Sequence, residues 1–191
     1  RNGRFWRRKE SMKRLFVAFP VSEEVRKKIA PIADGLVKTG ADLKLVSLEK
    51  AHFTLKFLGD VEEKKISEIQ EKLGTIAKQC RKLNITVKGV GVFPSLERIN
   101  VVWVGAEDSS LFLLMKEVNT ELDYIKKNDH DTEIPHLTIA RVKTGKNKEK
   151  LQEFLRSVEK KEFGKIFVDK LILYESELTK EGPIYTKLAE F

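Results

Sequence analysis

Two short segments of the 191-residue chain repeat each other and constrain its fold more than any other feature. Residues 52–57 read HFTLKF and residues 136–141 read HLTIAR, almost half a chain apart. Both segments alternate and contain β-branched or aromatic residues, which predicts two strands. Because alternate strand residues point to the same side, each histidine should lie beside its threonine on one face while the apolar residues enter a core.

The same order of predicted elements occurs in both halves of the chain. Apolar periodicity predicts helices over residues 22–37, 62–79, 109–125 and 147–160, with a kink or break at Pro31. Alternation predicts strands over 14–21, 44–47, 51–58, 84–92, 99–104, 134–142 and 166–174, a return strand at 182–188, and turns at 59–60 and 93–95. Strand, helix, His-x-Thr strand, helix and strand therefore occur twice. This repeat indicates a duplicated α+β domain over residues 12–191, with lobes of about 12–98 and 99–191. The polar and apolar faces of the motif strands favour antiparallel sheets. The two lobes could also exchange strands.

Composition adds expectations about the N-terminal segment, the cellular location and membrane association. The formal charge is +8, and half of it comes from residues 1–11, which are expected to be an added or disordered basic arm before Met12. A single cysteine, Cys80, excludes a disulfide within the chain and suits a reducing, cytoplasmic location. No segment approaches the roughly 20 apolar residues of a membrane helix. A monomer that does not bind membranes is expected.

The two histidines suit paired acid-base chemistry if the halves face each other across a cleft. Their ordinary pKa lies near neutrality, so one imidazole can accept a proton while the other donates one. Phosphoryl transfer without a metal needs such a pair and donors for the phosphoryl oxygens, which Thr54 and Thr138 can supply. Arg141 could bind the same oxygens, but in a regular strand its odd offset from His136 places it on the opposite face. It would need a bulge, a strand end or a long reach to join the cleft.

These motifs resemble those of the 2H phosphoesterases, which carry a duplicated His-x-Thr/Ser-x sequence. The flanking sequences AHFTLKFLG and PHLTIAR, with residues 14–20 ahead and GVFP at 91–94, resemble the RNA 2′,3′-cyclic phosphodiesterase (LigT-like, 2′-5′ RNA ligase) branch from Met12 onward. The resemblance implies a bilobal fold in which two antiparallel sheets line a central cleft and helices lie outside. It implies hydrolysis of 2′,3′-cyclic phosphate ends of RNA or nucleotides to 2′-phosphomonoesters, without metal or cofactor, and in some members reverse 2′-5′ ligation.

The resemblance also implies roles for individual residues. His52 corresponds to the proton donor and His136 to the base, while Thr54, Thr138 and Arg141 would hold the phosphate. From the residues themselves, two further contacts with RNA are candidates. Lys56 shares the predicted face of His52 and would steer phosphate or simply be solvated. Phe93, at the predicted turn, would stack a base more readily than Phe57 or Trp103, and core packing is the alternative for all three rings.

Two other functions compete with this hypothesis. A zinc site could use His52, His136 and His130 with Asp129, Asp131 or Glu133, but no paired-ligand spacing supports it. The chain could also be a nucleotide- or RNA-binding module that keeps the fold without turnover. The presence of both histidines favours an enzyme.

Overall fold

The computed structural model describes residues 11–79, 82–125, 134–180 and 182–191. The basic arm up to residue 10, Cys80 and the polar segment that contains His130 lie outside the described residues. The strands are β1 (Met12–Pro20), β2 (Leu43–Leu45), β3 (His52–Glu62), β4 (Leu83–Pro94), β5 (Ile99–Glu107), β6 (His136–Val142), β7 (Glu162–Val168), β8 (Ile172–Thr179) and β9 (Gly182–Glu190). The helices are α1 (Glu23–Lys38), α2 (Ile66–Gln79), α3 (Ser109–Glu121) and α4 (Lys148–Val158).

The strands form two wholly antiparallel sheets, which confirms the predicted α+β class. The first sheet has the order β3-β1-β8-β9 and the second has the order β2-β6-β5-β4-β7. Each sheet thus contains strands from both predicted halves, since β4 pairs with β5 and β8 pairs with β1. The exact boundary between the two lobes stays a prediction.

Three local predictions are wrong, each for a physical reason, and a fourth, the turn at 93–95, is corrected below with Phe93. The predicted strand over 166–174 is two strands, because the chain leaves the second sheet after β7 and enters the first sheet at β8. The expected turn at 59–60 is a bulge within β3, where Gly59 adopts a φ of +66° that suits glycine. Helix α1 continues through Pro31, which lies on its exposed side, where water can bond the carbonyl that loses its partner.

A short connection brings the two sheets together at the motif strands. The backbone N–H of Val46, just after β2, donates to the carbonyl of Ile139 in β6 at 2.9 Å. A 3₁₀ turn (Leu48–Lys50) follows, and the carbonyl of Ala51 then accepts from Val21, which follows β1, at 3.3 Å. Strands β3 and β6 contact each other. The two His-x-Thr segments therefore meet at the junction of the sheets.

The opposite faces of the sheets bury the core. Leu15, Val17 and Phe19 of β1 belong to one apolar cluster that also includes residues from β4, β5, β6 and all four helices. Helix α3 packs against β3 and β4, and α1 packs against β7 and α4. No helix among the described ranges combines the length and apolar character needed to cross a membrane. With the helices on one side, the other face of each sheet remains for a site.

Candidate active site

The two histidines occupy equivalent positions and make equivalent hydrogen bonds. Each is the first residue of its strand. His52 Nδ1 lies 2.8 Å from the carbonyl oxygen of Lys50, and His136 Nδ1 lies 2.9 Å from that of Ile134. A carbonyl oxygen only accepts, so in both neutral imidazoles Nδ1 carries the proton and Nε2 is the basic atom. The duplication thus preserves ring orientation and tautomer as well as sequence.

Each motif strand contains a β-bulge at the fourth residue of its segment. The extra residue is Leu55 in β3, opposite β1, and Ile139 in β6, opposite β5. A bulge shifts the alternation of the strand by one residue. The residue five positions after each histidine therefore joins the face of that histidine. Those residues are Phe57 and Arg141, and both are exposed.

Arg141 consequently lies on the same face as His136 and Thr138. The sequence-based objection, an odd offset in a regular strand, does not apply because β6 is not regular here. Lys44 of β2 lies directly opposite Arg141 in the ladder. Neither cation forms an ion pair with a residue that the structure describes. Like charges directly opposite each other destabilise a sheet, so this pair favours an anion between them.

The prediction that Lys56 shares the face of His52 is wrong. The bulge at Leu55 turns its side chain inward, where it is only 5% exposed. Its ammonium group donates to Asn119 Oδ1 of α3 at 2.9 Å, on the helix side of the sheet. Lys56 is therefore a buried structural contact and does not line the cleft.

Aromatic side chains surround His52 on the first sheet. The ring of Phe16 lies 4.9 Å from His52, 5.1 Å from Tyr174 and 5.1 Å from Tyr185, between ring centroids. Tyr185 contacts His52 edge to face at 5.2 Å, and Phe57 lies 6.0 Å from Phe16. We call Phe16, Phe57, Tyr174 and Tyr185 the His52 aromatic cluster. Sequence reasoning considered only Phe57, because the order of strands in the sheet brings the other three rings to the histidine.

The second sheet places Phe93 and Trp103 beside His136. Phe93 meets the imidazole edge to face at 4.9 Å, and Trp103 lies 6.4 Å from it. Phe93 is the penultimate residue of β4 and precedes a cis bond to Pro94, so the turn predicted at residues 93–95 is wrong in placing Phe93 outside a strand. Phe93 thus reaches the predicted site, where it can orient the histidine or contact a substrate.

The position of Trp103 depends on a glycine in the neighbouring strand. A Cβ atom at Gly91 would overlap the indole ring. We expect Gly91→Ala to displace Trp103 and to lower the free energy of unfolding by about 1–3 kcal/mol, measured by urea denaturation. Gly145→Ala is the control, since nothing lies within 4 Å of its added carbon. Equal midpoints for the two variants would contradict the role of Gly91.

Electrostatics connect the two walls of the site. Burial lowers the pKa of His52, and the bond to the Lys50 carbonyl raises it by less. Burial also lowers the pKa of His136, which the charge of Arg141 lowers further. Burial raises the pKa of Tyr185, and the same arginine lowers it by less. The charge of Arg141, on the strand of His136, therefore also acts on the tyrosine that touches His52.

No group of three or more histidine, cysteine or acidic side chains could hold a metal among the described residues. The other zinc ligands considered from the sequence, residues 129–131 and 133, lie outside the described part of the chain.

The fold and its duplicated histidine motif define a two-histidine phosphoesterase of α+β architecture. The family model described as LigT like Phosphoesterase matches the chain twice, over residues 19–103 and 104–185, and the chain belongs to this family. The chain is 35% identical over 181 residues to the RNA 2′,3′-cyclic phosphodiesterase of Methanothermobacter thermautotrophicus, covering 93% of this chain and 97% of that protein. It is 39% identical over 181 residues to the protein of the same name from Thermotoga maritima, covering 93% and 94%.

A solved structure has the same fold. The protein TT0787 of Thermus thermophilus superimposes with a TM-score of 0.78 at 26% identity, covering 93% of this chain and 96% of that one. The sequence-based resemblance is thus confirmed, and the enzyme class that it predicted agrees with the names of the relatives.

Proposed function

We propose that the protein hydrolyses 2′,3′-cyclic phosphate ends of RNA or nucleotides to 2′-phosphomonoesters, with His52 as acid and His136 as base and without a metal. The observation that carries the proposal is the matched pair of imidazoles, each with Nδ1 bonded to a backbone carbonyl, so that Nε2 is the nitrogen that exchanges protons. The names of the relatives supply the substrate class.

The reaction needs one proton to enter and one to leave. His136 Nε2 takes a proton from water as the water oxygen bonds to phosphorus. The bond between phosphorus and the 3′ oxygen breaks, and His52 Nε2–H gives its proton to that oxygen. The products are a 3′-hydroxyl and a 2′-phosphate, and proton exchange with solvent restores both histidines.

The remaining polar groups stabilise charge on the phosphoryl oxygens. The hydroxyls of Thr54 and Thr138 donate hydrogen bonds, and Arg141 offers two parallel N–H donors. The second cation, Lys44, adds positive potential beside Arg141. Phe93 contributes a ring contact beside His136, to the base or ribose of the substrate. A ribose 5′-hydroxyl in place of water would give 2′-5′ ligation by the same proton transfers.

The pH dependence should reflect both lowered pKa values. Catalysis needs neutral His136 and protonated His52. The value of kcat/KM should therefore fall as pH drops below the pKa of His136 and as pH rises above the pKa of His52. Because burial lowers both, both limbs should lie below the ordinary value of about 6.5. Bound phosphate favours the charged form of His52, so the alkaline limb of kcat should lie at higher pH than that of kcat/KM. An alkaline limb of kcat/KM above pH 7 would argue against this protonation pattern.

The test of function is incubation with a nucleoside 2′,3′-cyclic phosphate in excess EDTA, with identification of the product isomer by phosphorus NMR. A 2′-phosphate supports the proposal. A 3′-phosphate contradicts the assignment of the leaving oxygen, and loss of activity in EDTA that zinc restores supports the metal site. Binding without turnover would favour the alternative, a nucleotide- or RNA-binding module. Ligation is assayed with an added 5′-hydroxyl oligonucleotide.

A further inference from the structure

A cavity of about 410 Å³ lies on the second sheet, beside the two residues that precede His136. Its wall includes Ile134 and Pro135, which immediately precede the histidine, and Trp103. The opposite wall comes from the C-terminal turn of α4, which bonds the edge of β4 through the Glu159 carbonyl and the Val90 N–H at 3.0 Å. The volume lies within the range of small-ligand pockets, roughly 300–1,000 Å³.

The shape of this cavity suits a flat ring. Gly91 and Gly105 both line it and leave their strands without side chains, while the indole of Trp103 lies across the two glycines. The result is a planar aromatic and backbone surface. Such surfaces bind unpaired nucleobases by stacking, in a way that tolerates any base.

The cleft has two aromatic surfaces, one on each sheet. The His52 aromatic cluster includes Phe57, which is 39% exposed, and the Trp103 surface lies 6.4 Å from the ring of His136. A cyclic mononucleotide has only one base, so it can occupy one of these surfaces. A strand that ends in the same cyclic phosphate has a second base attached through its 5′ phosphate.

We propose that the Trp103 cavity binds the base of the nucleotide that precedes the terminal cyclic phosphate, so that the preferred substrate is an RNA strand of at least two nucleotides. This inference rests on the proposed function and specifies its substrate. The terminal base then lies against the His52 aromatic cluster, and the reacting phosphate lies between the two histidines.

Two basic and two acidic side chains line the cavity, namely Lys88, Arg156, Glu107 and Glu159. Arg156 of α4 lines the cavity and forms no ion pair with any residue that the structure describes. Lys88 also lines the cavity, and its Nζ forms an ion pair with Glu107 Oε2 at 3.0 Å. Arg156 is therefore the cation best placed to meet the phosphate that joins the two nucleotides.

The kinetic test compares adenosine 2′,3′-cyclic phosphate with the dinucleotide ApA that ends in the same group. We expect kcat/KM to be about 10- to 100-fold higher for the dinucleotide, the usual worth of one stacked base. Trp103→Leu should abolish most of this ratio, and Arg156→Ala should reduce it and weaken its dependence on salt. Phe167→Leu, which changes an exposed aromatic residue of β7 in the same sheet, should leave the ratio intact. Equal kcat/KM for the two substrates, or a ratio that survives both cavity variants, overturns the inference.

Fluorescence provides a test that does not require turnover. The chain has two tryptophans, Trp6 and Trp103, so a Trp6→Phe variant reports on Trp103 alone. The dinucleotide with a 2′-phosphate should quench this emission in a saturable manner, and more strongly than adenosine 2′-phosphate. If the dinucleotide quenches the emission but is not hydrolysed, the proposed function is rejected and the base site is kept. Hydrolysis without a difference in quenching would reject the base site alone.

Discussion

Replacing either histidine by alanine should reduce kcat by about 10²- to 10⁴-fold, the usual contribution of a positioned acid or base. Both imidazoles are held by a carbonyl bond on Nδ1, and no other side chain of the described site is suited to exchange a proton near neutral pH. The measurement is steady-state hydrolysis of a 2′,3′-cyclic nucleotide. Because the two groups act in one step, His52→Ala combined with His136→Ala should lose little more than either single change.

The third histidine provides the matched control. His130→Ala should retain full activity, since the proposed mechanism does not use it. A large loss in this variant, restored by zinc, would support the metal site considered from the sequence. Full turnover in His52→Ala or His136→Ala would remove that histidine from the mechanism.

Replacing Arg141 by alanine should lower kcat/KM by about 10²- to 10³-fold, as expected for the loss of a main donor to a developing anion. It should also change the pH profile. After burial, the charge of Arg141 is the second cause that lowers the pKa of His136, so its removal should raise that pKa and move the acid limb of kcat/KM to higher pH. Arg141→Lys keeps the charge but loses the two parallel N–H donors. It should therefore restore the pH of the acid limb more fully than it restores the value of kcat/KM.

The exposed Arg98, in the β4–β5 hairpin, is the control for loss of a positive charge. Arg98→Ala should change neither the rate nor the acid limb. If Arg141→Ala lowered the rate without moving the limb, the arginine would bind phosphate but would not set the protonation of His136.

The paired motifs could be predicted from the sequence because strand periodicity is local. His52 and Thr54 alternate with the buried Phe53 and Leu55, as a half-buried strand requires. The polar and apolar faces of the motif strands likewise predicted antiparallel sheets. These inferences depend on residues within a few positions of each other, where propensity and pattern are informative.

The contents of the cleft beyond the motifs could not be predicted in the same way. A single extra residue in each strand exchanged the faces of Lys56 and Phe57, and it brought Arg141 beside His136. One signal was present: Ala140 makes residues 139–140 an apolar pair, which a regular half-buried strand does not contain. Lys44, Tyr174 and Tyr185 arrive from other strands, so only the ladder register reveals them.

Strand β4 of the first half lies in the second sheet, and strand β8 of the second half lies in the first sheet. This exchange bears on how such a molecule could have arisen. The first half alone would lack β8, which pairs with its strand β1, and the second half alone would lack β4, which pairs with its strand β5. If the chain arose by the joining of two copies of a shorter one, that shorter chain would have needed a second copy to complete either sheet. Separately expressed fragments of the present chain should therefore remain unfolded alone and regain structure only when mixed.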